Sequence, residues 1–600
     1  MKTILCAVLA ALLIPAAAAA AVAAEGRRAE DEIIYLIMPD RFENGDPSND
    51  LGGRTGDRGR TGYDPTSKAY YHGGDIAGVT RRLGYIRRLG ATAIWLTPVF
   101  ENKPVQGEGA LQSAGYHGYW GTNFEAVDPH LGTRADYKAF VDAAHAAGLK
   151  VYFDIVVNHT ADVIRYRECP DRACAYRSRA DYPYQRRGGA SGAAINPGFA
   201  GDGAAGQTKP NFARFTRSDY AYTPWVPAAE ARVKSPSWLN DVRFYHNRGE
   251  STFKGESSLQ GDFAGLDDVM TENPAVVEGF IQLYGRWIDD FRIDGFRIDT
   301  ARHVNPEFWQ AFVPAMLAKA RANGIEDFHI FGEVMNFEPG ELARHTRVDR
   351  LPAVNDFALH SAIVDTVARG APTLRLARVF EGDFLYEGGE ATARRLVTLV
   401  GNHDVLRMGR TLRTANPAAS EEELLKRATL AYAMLLTARG VPALYYGDEQ
   451  GFTGEGEGDQ ASREDMFPSL VASYNENRLI GSTGSTATSN FDEQHPLFRA
   501  IAAMSKARSA DPALRRGRQV TRAAREEGPG LFGFSRLLDG SGETLAVFNT
   551  STQAQKTTLE VEPGSMKWQA VHGRCAPAAA APGSYAVEVP PLDYIVCKAR

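Results

Sequence analysis

The chain reads as an α/β protein: a closed parallel (β/α)8 TIM barrel with an inserted subdomain after its third strand, followed by a C-terminal antiparallel β domain. Three observations predict this. Eight short apolar runs recur with helix-spaced segments between most of them, several of those runs end in polar or charged residues, and the pattern turns to period-two strands after about residue 512.

The eight predicted strands are 33–38, 93–99, 151–157, 295–299, 328–333, 353–357, 396–400 and 441–446, with helical patterns at 76–89, 134–147, 275–291 and 306–322. More than a hundred residues separate the third strand from the fourth, including a Gly/Ala-rich piece at 188–206 and aromatic residues at Tyr182, Tyr184 and Trp225. A structureless loop of that length does not suit a compact domain, so an inserted subdomain is expected there. Past residue 512, strands at 531–538, 544–549 and 557–561 with the turn Asp539-Gly540-Ser541-Gly542 predict a small β-sandwich. The expected division is a barrel at 25–157 and 269–512, the insert at 158–268 and the terminal domain at 513–600.

A net charge of −6 with both signs interspersed leaves no footprint of nucleic acid or anionic membrane, so a neutral polar substrate fits better. Residues 1–24 run from Met1-Lys2 through an apolar stretch to Val22-Ala23-Ala24, the pattern of a secretory signal cleaved after Ala24. An uncleaved anchor is the alternative, but the segment ends in small residues and not in a basic stop-transfer patch. A secreted or periplasmic protein is expected. Four cysteines then remain in an oxidising compartment, and position pairs Cys169 with Cys174 and Cys575 with Cys597. Neither pair has the spacing of a zinc site.

The run Gly295-Phe296-Arg297-Ile298-Asp299 places a guanidinium and a carboxylate on one strand face and two apolar side chains on the other. Alone, it reads equally as a buried ion pair or as a nucleophile kept ionised by Arg297. Three more segments fall at strand ends: Asp154-Ile155-Val156-Val157-Asn158-His159, Phe331-Gly332-Glu333-Val334 and Val400-Gly401-Asn402-His403-Asp404. With the run that continues to His303, they resemble in order and type the four signature regions of the α-amylase family of glycoside hydrolases. Tyr116-His117-Gly118-Tyr119-Trp120, Leu266-Asp267-Asp268 and Tyr445-Tyr446-Gly447-Asp448-Glu449 extend the resemblance over residues 32–510.

That resemblance implies retaining hydrolysis of α-glucans, with Asp299 as nucleophile, Glu333 as the acid that protonates the leaving oxygen, and Asp404 as a third, transition-state-stabilising carboxylate. It implies sugar contacts from His117, Tyr119, His159 and His403, and from Arg302 and His303 on the leaving-group side. Asp154 is read as the partner of Arg297, and Asp459 and Arg463 match an Asp-x-x-x-Arg pair that grips the next sugar outward. Asn44, Asp46, Asn49, Asp50, Gly73 and Asp75 match a calcium loop of cyclodextrin glycosyltransferases and related amylases, and oxygen ligands of this kind suit calcium. Ordinary turn chemistry explains the same Asn, Asp and Gly residues equally well. At a second family calcium site, Gly265 stands where an aspartate is expected, so a single ion is implied.

Thr300 after the nucleophile and the Arg302-His303 pair lean toward internal α-1,4 cleavage, that is, toward an α-amylase acting on starch and maltooligosaccharides. The early first barrel strand leaves no room for an N-terminal dimerisation domain, so a monomer is expected. A cyclomaltodextrinase or neopullulanase-type hydrolase is the alternative. An inactive binding or scaffold relative is disfavoured because all three carboxylates are present. Trp225 and Trp238 read as packing residues more readily than as sugar platforms.

Overall fold

The computed structural model describes residues 26–170 and 173–600, so the expected secretion signal lies outside the described residues. Eight parallel strands form the central sheet: β1 (Ile34–Ile37), β2 (Ala93–Leu96), β3 (Lys150–Ile155), β4 (Gly295–Ile298), β5 (His329–Gly332), β6 (Ala353–Val354), β7 (Val397–Thr398) and β8 (Val441–Tyr445). Hydrogen bonding runs in the order β6-β5-β4-β3-β2-β1-β8-β7. A parallel bridge from Asn355 to Val397, with the Asp356 N–H donating to the Val397 carbonyl at 2.8 Å, joins the two ends into a barrel. Every residue of β1 to β5 is buried, because helices cover the outside and side chains fill the inside.

All eight predicted strands are present, though β6 and β7 are only two residues long. The predicted sixth strand stops early because Asp356 accepts the Leu359 N–H and caps a helix beginning at Phe357. Long helices pack outside: α1 (Arg134–Ala146), opened by a reciprocal Thr133–Asp136 capping box; α2 (Pro274–Phe291), capped by Asn273; α3 (Pro306–Ala322); α4 (Glu421–Thr437); and α5 (Pro496–Ala510). The helix predicted at 76–89 is two shorter ones, Ile76–Arg81 and Leu83–Leu89. The Arg82 N–H between them is shared by the Gly78 and Val79 carbonyls, which tightens the turn there.

Between β3 and α2 lies the inserted segment, with short two-residue ladders and its own apolar core around Tyr184, Phe199, Phe215 and Tyr220. A bond between Cys169 and Cys174 closes a loop at its start. The chain ends in β9 (Arg518–Ala523), β10 (Leu531–Leu537), β11 (Thr544–Asn549), β12 (Gln555–Glu560), β13 (Trp568–His572), β14 (Ser584–Val589) and β15 (Asp593–Ala599). These make a five-stranded antiparallel sheet, β9-β10-β11-β15-β13, and a β12-β14 pair. Strand β11 is apolar on both faces for a reason: Leu545 and Val547 face the core shared with Leu559 and Tyr585, whereas Ala546 and Phe548 join the barrel's core. Cys575 and Cys597 are bonded across this terminal unit.

Candidate active site

The register of the barrel brings the charged groups together. Arg297 of β4 lies directly opposite Asp154 of β3 and Phe331 of β5, so its side chain reaches groups from three strands. Its Nη1 is 2.9 Å from Asp154 Oδ1 and 3.0 Å from Asp299 Oδ1, and its Nη2 is 2.8 Å from Glu333 Oε2. Gly295 permits the close strand approach, since a Cβ there would meet the His329 carbonyl at 2.1 Å. The Thr300 N–H, from a residue at φ 48°, donates to Glu333 Oε2 at 3.1 Å. Trp95 Nε1 and the Tyr119 hydroxyl donate to Asp154 Oδ2 at 2.9 and 3.0 Å.

One guanidinium faces three buried carboxylates, and this changes the electrostatics expected from the Arg297–Asp299 pair alone. Burial pushes the Asp299 carboxyl well above the usual carboxylate range; Arg297 opposes the rise, while Glu333, Asp154 and Asp404 reinforce it. The expectation that the Arg297–Asp299 pair stands alone is therefore corrected: the Arg297 charge is divided among Asp154, Asp299 and Glu333, so it opposes the rise at Asp299 with only part of its strength. Asp404 behaves in the opposite way. Burial raises it, but His403, Arg463 and Arg297 outweigh that and hold it well below the usual range.

Around these acids the predicted polar residues converge. Tyr119 stacks on His403 (centroids 5.4 Å, planes at 10°), with its hydroxyl 2.8 Å from His403 Nε2, which in turn lies 2.9 Å from Asp404 Oδ2. His117 stacks on the same tyrosine at 5.7 Å. Arg463 donates to the His403 carbonyl at 3.1 Å, approaches Asp404 Oδ1 at 3.4 Å, and pairs with Asp459. Burial drives His117 well below its ordinary value and His159 down to about 3, so both are neutral imidazoles near pH 7. His159 and His303 are linked through Phe263, which stacks on the first at 5.4 Å and meets the second edge-on at 5.1 Å. His303 Nδ1 is 3.0 Å from Ser258 Oγ, and Arg302 donates to the Met335 carbonyl at 2.6 Å.

One hollow reaches Asp404, and another lies beside Arg302 and Val334, the residue after Glu333. The first, of about 670 Å³, is bordered by Phe337, His360, Asp404, Leu406, Arg410 and Asp459. The second, of about 520 Å³, is bordered by Phe253, Ser258, Arg302, Glu341, His345 and Asp349. Phe253, Phe263 and Phe337 were not singled out by sequence. Phe253 sits at φ 58°, 43% exposed, edge-on to Phe263 and His303. Of the two tryptophans, Trp238 packs against Phe280, and Trp225 lies at the surface under Arg167.

The proposed metal-loop residues also come together. Asn44 Nδ2 donates to Asp50 Oδ1 at 2.9 Å, and a Cβ on Gly73 would lie 2.7 Å from that same oxygen. Asp75 accepts backbone N–H groups from Gly45, Asp46 and Gly78, and Asn49 Nδ2 at 3.2 Å. The Asp46 carboxylate turns away onto Ser48. Across from Asn158 and His159, Asp268 pairs with His159 and the Val269 N–H donates to the Asn158 carbonyl at 2.9 Å. Gly265 occupies the turn before it, at φ 87°. Asp268 accepts from His246 Nδ1 at 2.6 Å.

A family model of the alpha-amylase catalytic domain matches residues 36–519. The chain belongs to that family. An alpha-amylase of Streptomyces lividans is 42% identical over 547 residues, which are 91% of this chain and 58% of that protein. A beta/alpha-amylase of Paenibacillus polymyxa is 28% identical, over 88% of this chain and 34% of its own length. The chain thus spans 58% and 34% of these relatives. Among solved structures, an Anoxybacillus alpha-amylase superposes with a TM-score of 0.66 at 24% identity, covering 96% of this chain and 99% of that one. CldA, a cyclomaltodextrin glucanotransferase, gives 0.69 at 24% identity over 95% and 99%. Both structures carry the barrel and terminal β-sheet architecture of this amylase-family chain.

Proposed function

We propose that the protein hydrolyses internal α-1,4-glucosidic bonds of starch and maltooligosaccharides with retention, as an α-amylase outside the cytoplasm. The observation that carries the reading is the single Arg297 fork holding Asp299 with one arm and Glu333 with the other. That arrangement suits the separation of about 5 to 5.5 Å required of a nucleophile and an acid on opposite sides of one bond. Asp299 attacks the anomeric carbon as Glu333 transfers its proton to the leaving oxygen, giving a glycosyl-enzyme ester. Glu333 then takes a proton from water, which attacks the same carbon and frees Asp299. Asp404, held anionic by His403 and Arg463, stabilises positive charge developing on the sugar ring.

His117, Tyr119 and His403 are assigned to the sugar on the nucleophile side, with Asp459 and Arg463 one residue outward; Arg302 and His303 are assigned to the leaving-group side, where the second hollow lies. His159, whose Nε2 is buried without a hydrogen-bond partner, is assigned to a sugar hydroxyl. The test is a timed product profile on amylose, pullulan and β-cyclodextrin, with Asp299→Asn as blank. Rapid shortening of amylose with the other two untouched is expected. Preferential opening of cyclodextrin or pullulan would move the enzyme to the cyclomaltodextrinase and neopullulanase branch.

The loop at Asn44 to Asp50 fits a calcium ion on one observation: the side-chain oxygens of Asn44 and Asn49 are buried acceptors without a donor. Asn44, Asn49, Asp50 and the Gly73 carbonyl are the residues that would hold it. The Asp75 carboxylate supports the loop by accepting the Gly45 and Asp46 N–H groups, and Asp46 does not fit as a ligand because its own carboxylate faces outward onto Ser48. A bound ion would crosslink this loop to the turn before residue 76, away from the acids.

A further inference from the structure

We propose that Asp202, His246 and Glu272, buried where the inserted segment meets the barrel, form a binding site for a divalent transition-metal ion of the zinc class. Each offers one ligand atom, and these atoms all lie within 4.8 Å of one another. The residues are 3%, 0% and 5% exposed. Asp268 accepts from His246 Nδ1 at 2.6 Å, which fixes the proton on that nitrogen and turns Nε2 toward Glu272 Oε2, 3.0 Å away. A carboxylate behind the imidazole and the second nitrogen turned toward another candidate ligand is the arrangement that orients a metal-binding histidine. Asp202 is braced from outside by Arg179 Nη1 on Oδ1 at 2.9 Å and the Tyr184 hydroxyl on Oδ2 at 2.7 Å, and Oδ1, with one donor, keeps a lone pair to share.

Gln260 supplies an independent observation. It is 2% exposed, and its carboxamide lies against the cluster, with Nε2 donating to Asp202 Oδ2 at 2.5 Å. Its Oε1 has no hydrogen-bond partner, a buried acceptor among acceptors. A cation satisfies such an oxygen, and Gln260 would complete four ligands. Charge points the same way. Asp202, Glu272 and Asp268 gather their carboxyl groups around one imidazole, and the neighbouring Arg179 is shared between Asp202 and Glu256. Without a metal, His246 must hold a proton on Nε2 to bond Glu272; the ion takes that proton's place.

An imidazole with carboxylates selects zinc-class ions over calcium, whose sites are built from oxygen alone. The ion would tie Asp202 and His246 of the insert to Glu272 at the root of α2, beside the Asp267–Asp268 ladder on His159. This site is distinct from the Asn44–Asp50 loop, and the inference stands apart from the catalytic assignment.

Since the ligands are enclosed, the metal enters as the chain folds, so the test uses the full chain produced in cobalt-supplemented medium. One tightly held cobalt per chain is expected, with the visible absorption of a four-coordinate nitrogen–oxygen site. That band should vanish in folded His246→Gln, weaken in Gln260→Leu and persist in Asp50→Asn. A folded wild-type chain with neither cobalt nor band overturns the proposal, and so does an unchanged band in Gln260→Leu or in folded His246→Gln.

Discussion

Arg297 and Asp154 stand directly opposite each other across the β3–β4 ladder, with Arg297 Nη1 2.9 Å from Asp154 Oδ1 and 3.1 Å from Oδ2. Both are fully buried. Asp154 therefore competes with Asp299 for the same nitrogen, and it also gathers the Trp95 and Tyr119 donors that frame the site. It sets both where the guanidinium points and how much of its charge reaches the nucleophile.

Replacing Asp154 by Asn should separate these two effects. The loosened Arg297 should lower kcat roughly 100-fold, the scale on which small misplacements act. With one negative charge gone, Asp299 should ionise more readily, because Asp154 is among the groups that raise it. The acid limb of kcat/KM against pH should therefore move to lower pH on a maltooligosaccharide substrate. An acid limb left in place would mean that Asp154 does not share in the charge balance of the site.

Chelation tests the Asn44–Asp50 loop separately from catalysis. With zinc-class ions supplied in excess, withdrawing calcium with a calcium-selective chelator should lower Tm by several degrees, as expected when a ligand of the native state is removed. Asp50→Asn should melt near the chelated wild type and respond little to chelator. An unchanged wild-type Tm in chelator removes calcium from this loop.

How much of this was legible in the sequence follows from range. The strands were readable because burial on both faces turns each into a short apolar run. The partnership of Asp154 with Arg297 was readable because both lie in strand-end motifs. What could not be read was how one charge is shared: that Glu333 also reaches Arg297 depends on the β4–β5 register and on burial, which no local pattern reports. The place of Gly265 is likewise long-range information, since only the pairing of Asp268 with His159 shows that Gly265 sits in the turn leading into that ladder. Phe253 and Phe263 escaped notice because an aromatic residue in a loop has no spacing signal, and their contacts to His303 arise from the path of the insert.

Glu449, just past β8, gives a pH prediction outside the active site. It is fully buried, accepts from the Tyr35 and Tyr85 hydroxyls at 2.7 and 2.8 Å, and has no partner for Oε2. Burial raises its pKa from 4.5 to about 7 despite the two tyrosines. The native state thus keeps a proton that the unfolded chain releases, so stability falls as pH rises from about 4.5 to about 7 and levels off above. At about 1.4 kcal/mol per pH unit the loss is roughly 3 kcal/mol. Glu449→Gln should resist urea better than wild type at pH 8 and no better at pH 4.5. Parallel curves for the two proteins across that range would sink the assignment.

The Cys575–Cys597 bond joins residues 22 apart across the terminal sheet, with Cys597 fully buried in the core that includes Leu545, Val547 and Tyr585. Closing a loop of that size removes unfolded-state freedom worth about 3 kcal/mol. The paired Cys575→Ala and Cys597→Ala protein should therefore lose stability in the terminal unit first, since the barrel has its own core. The two units still share Phe532, Phe534, Phe548 and Tyr594 with the barrel, so loosening there should spread to α4 and α5, which pack near Tyr594. Hydrogen exchange should quicken in β11 and β15 before it does in β1 to β5, with turnover of maltooligosaccharide retained at moderate temperature. Equal quickening throughout would show that the terminal sheet and the barrel unfold as one cooperative unit.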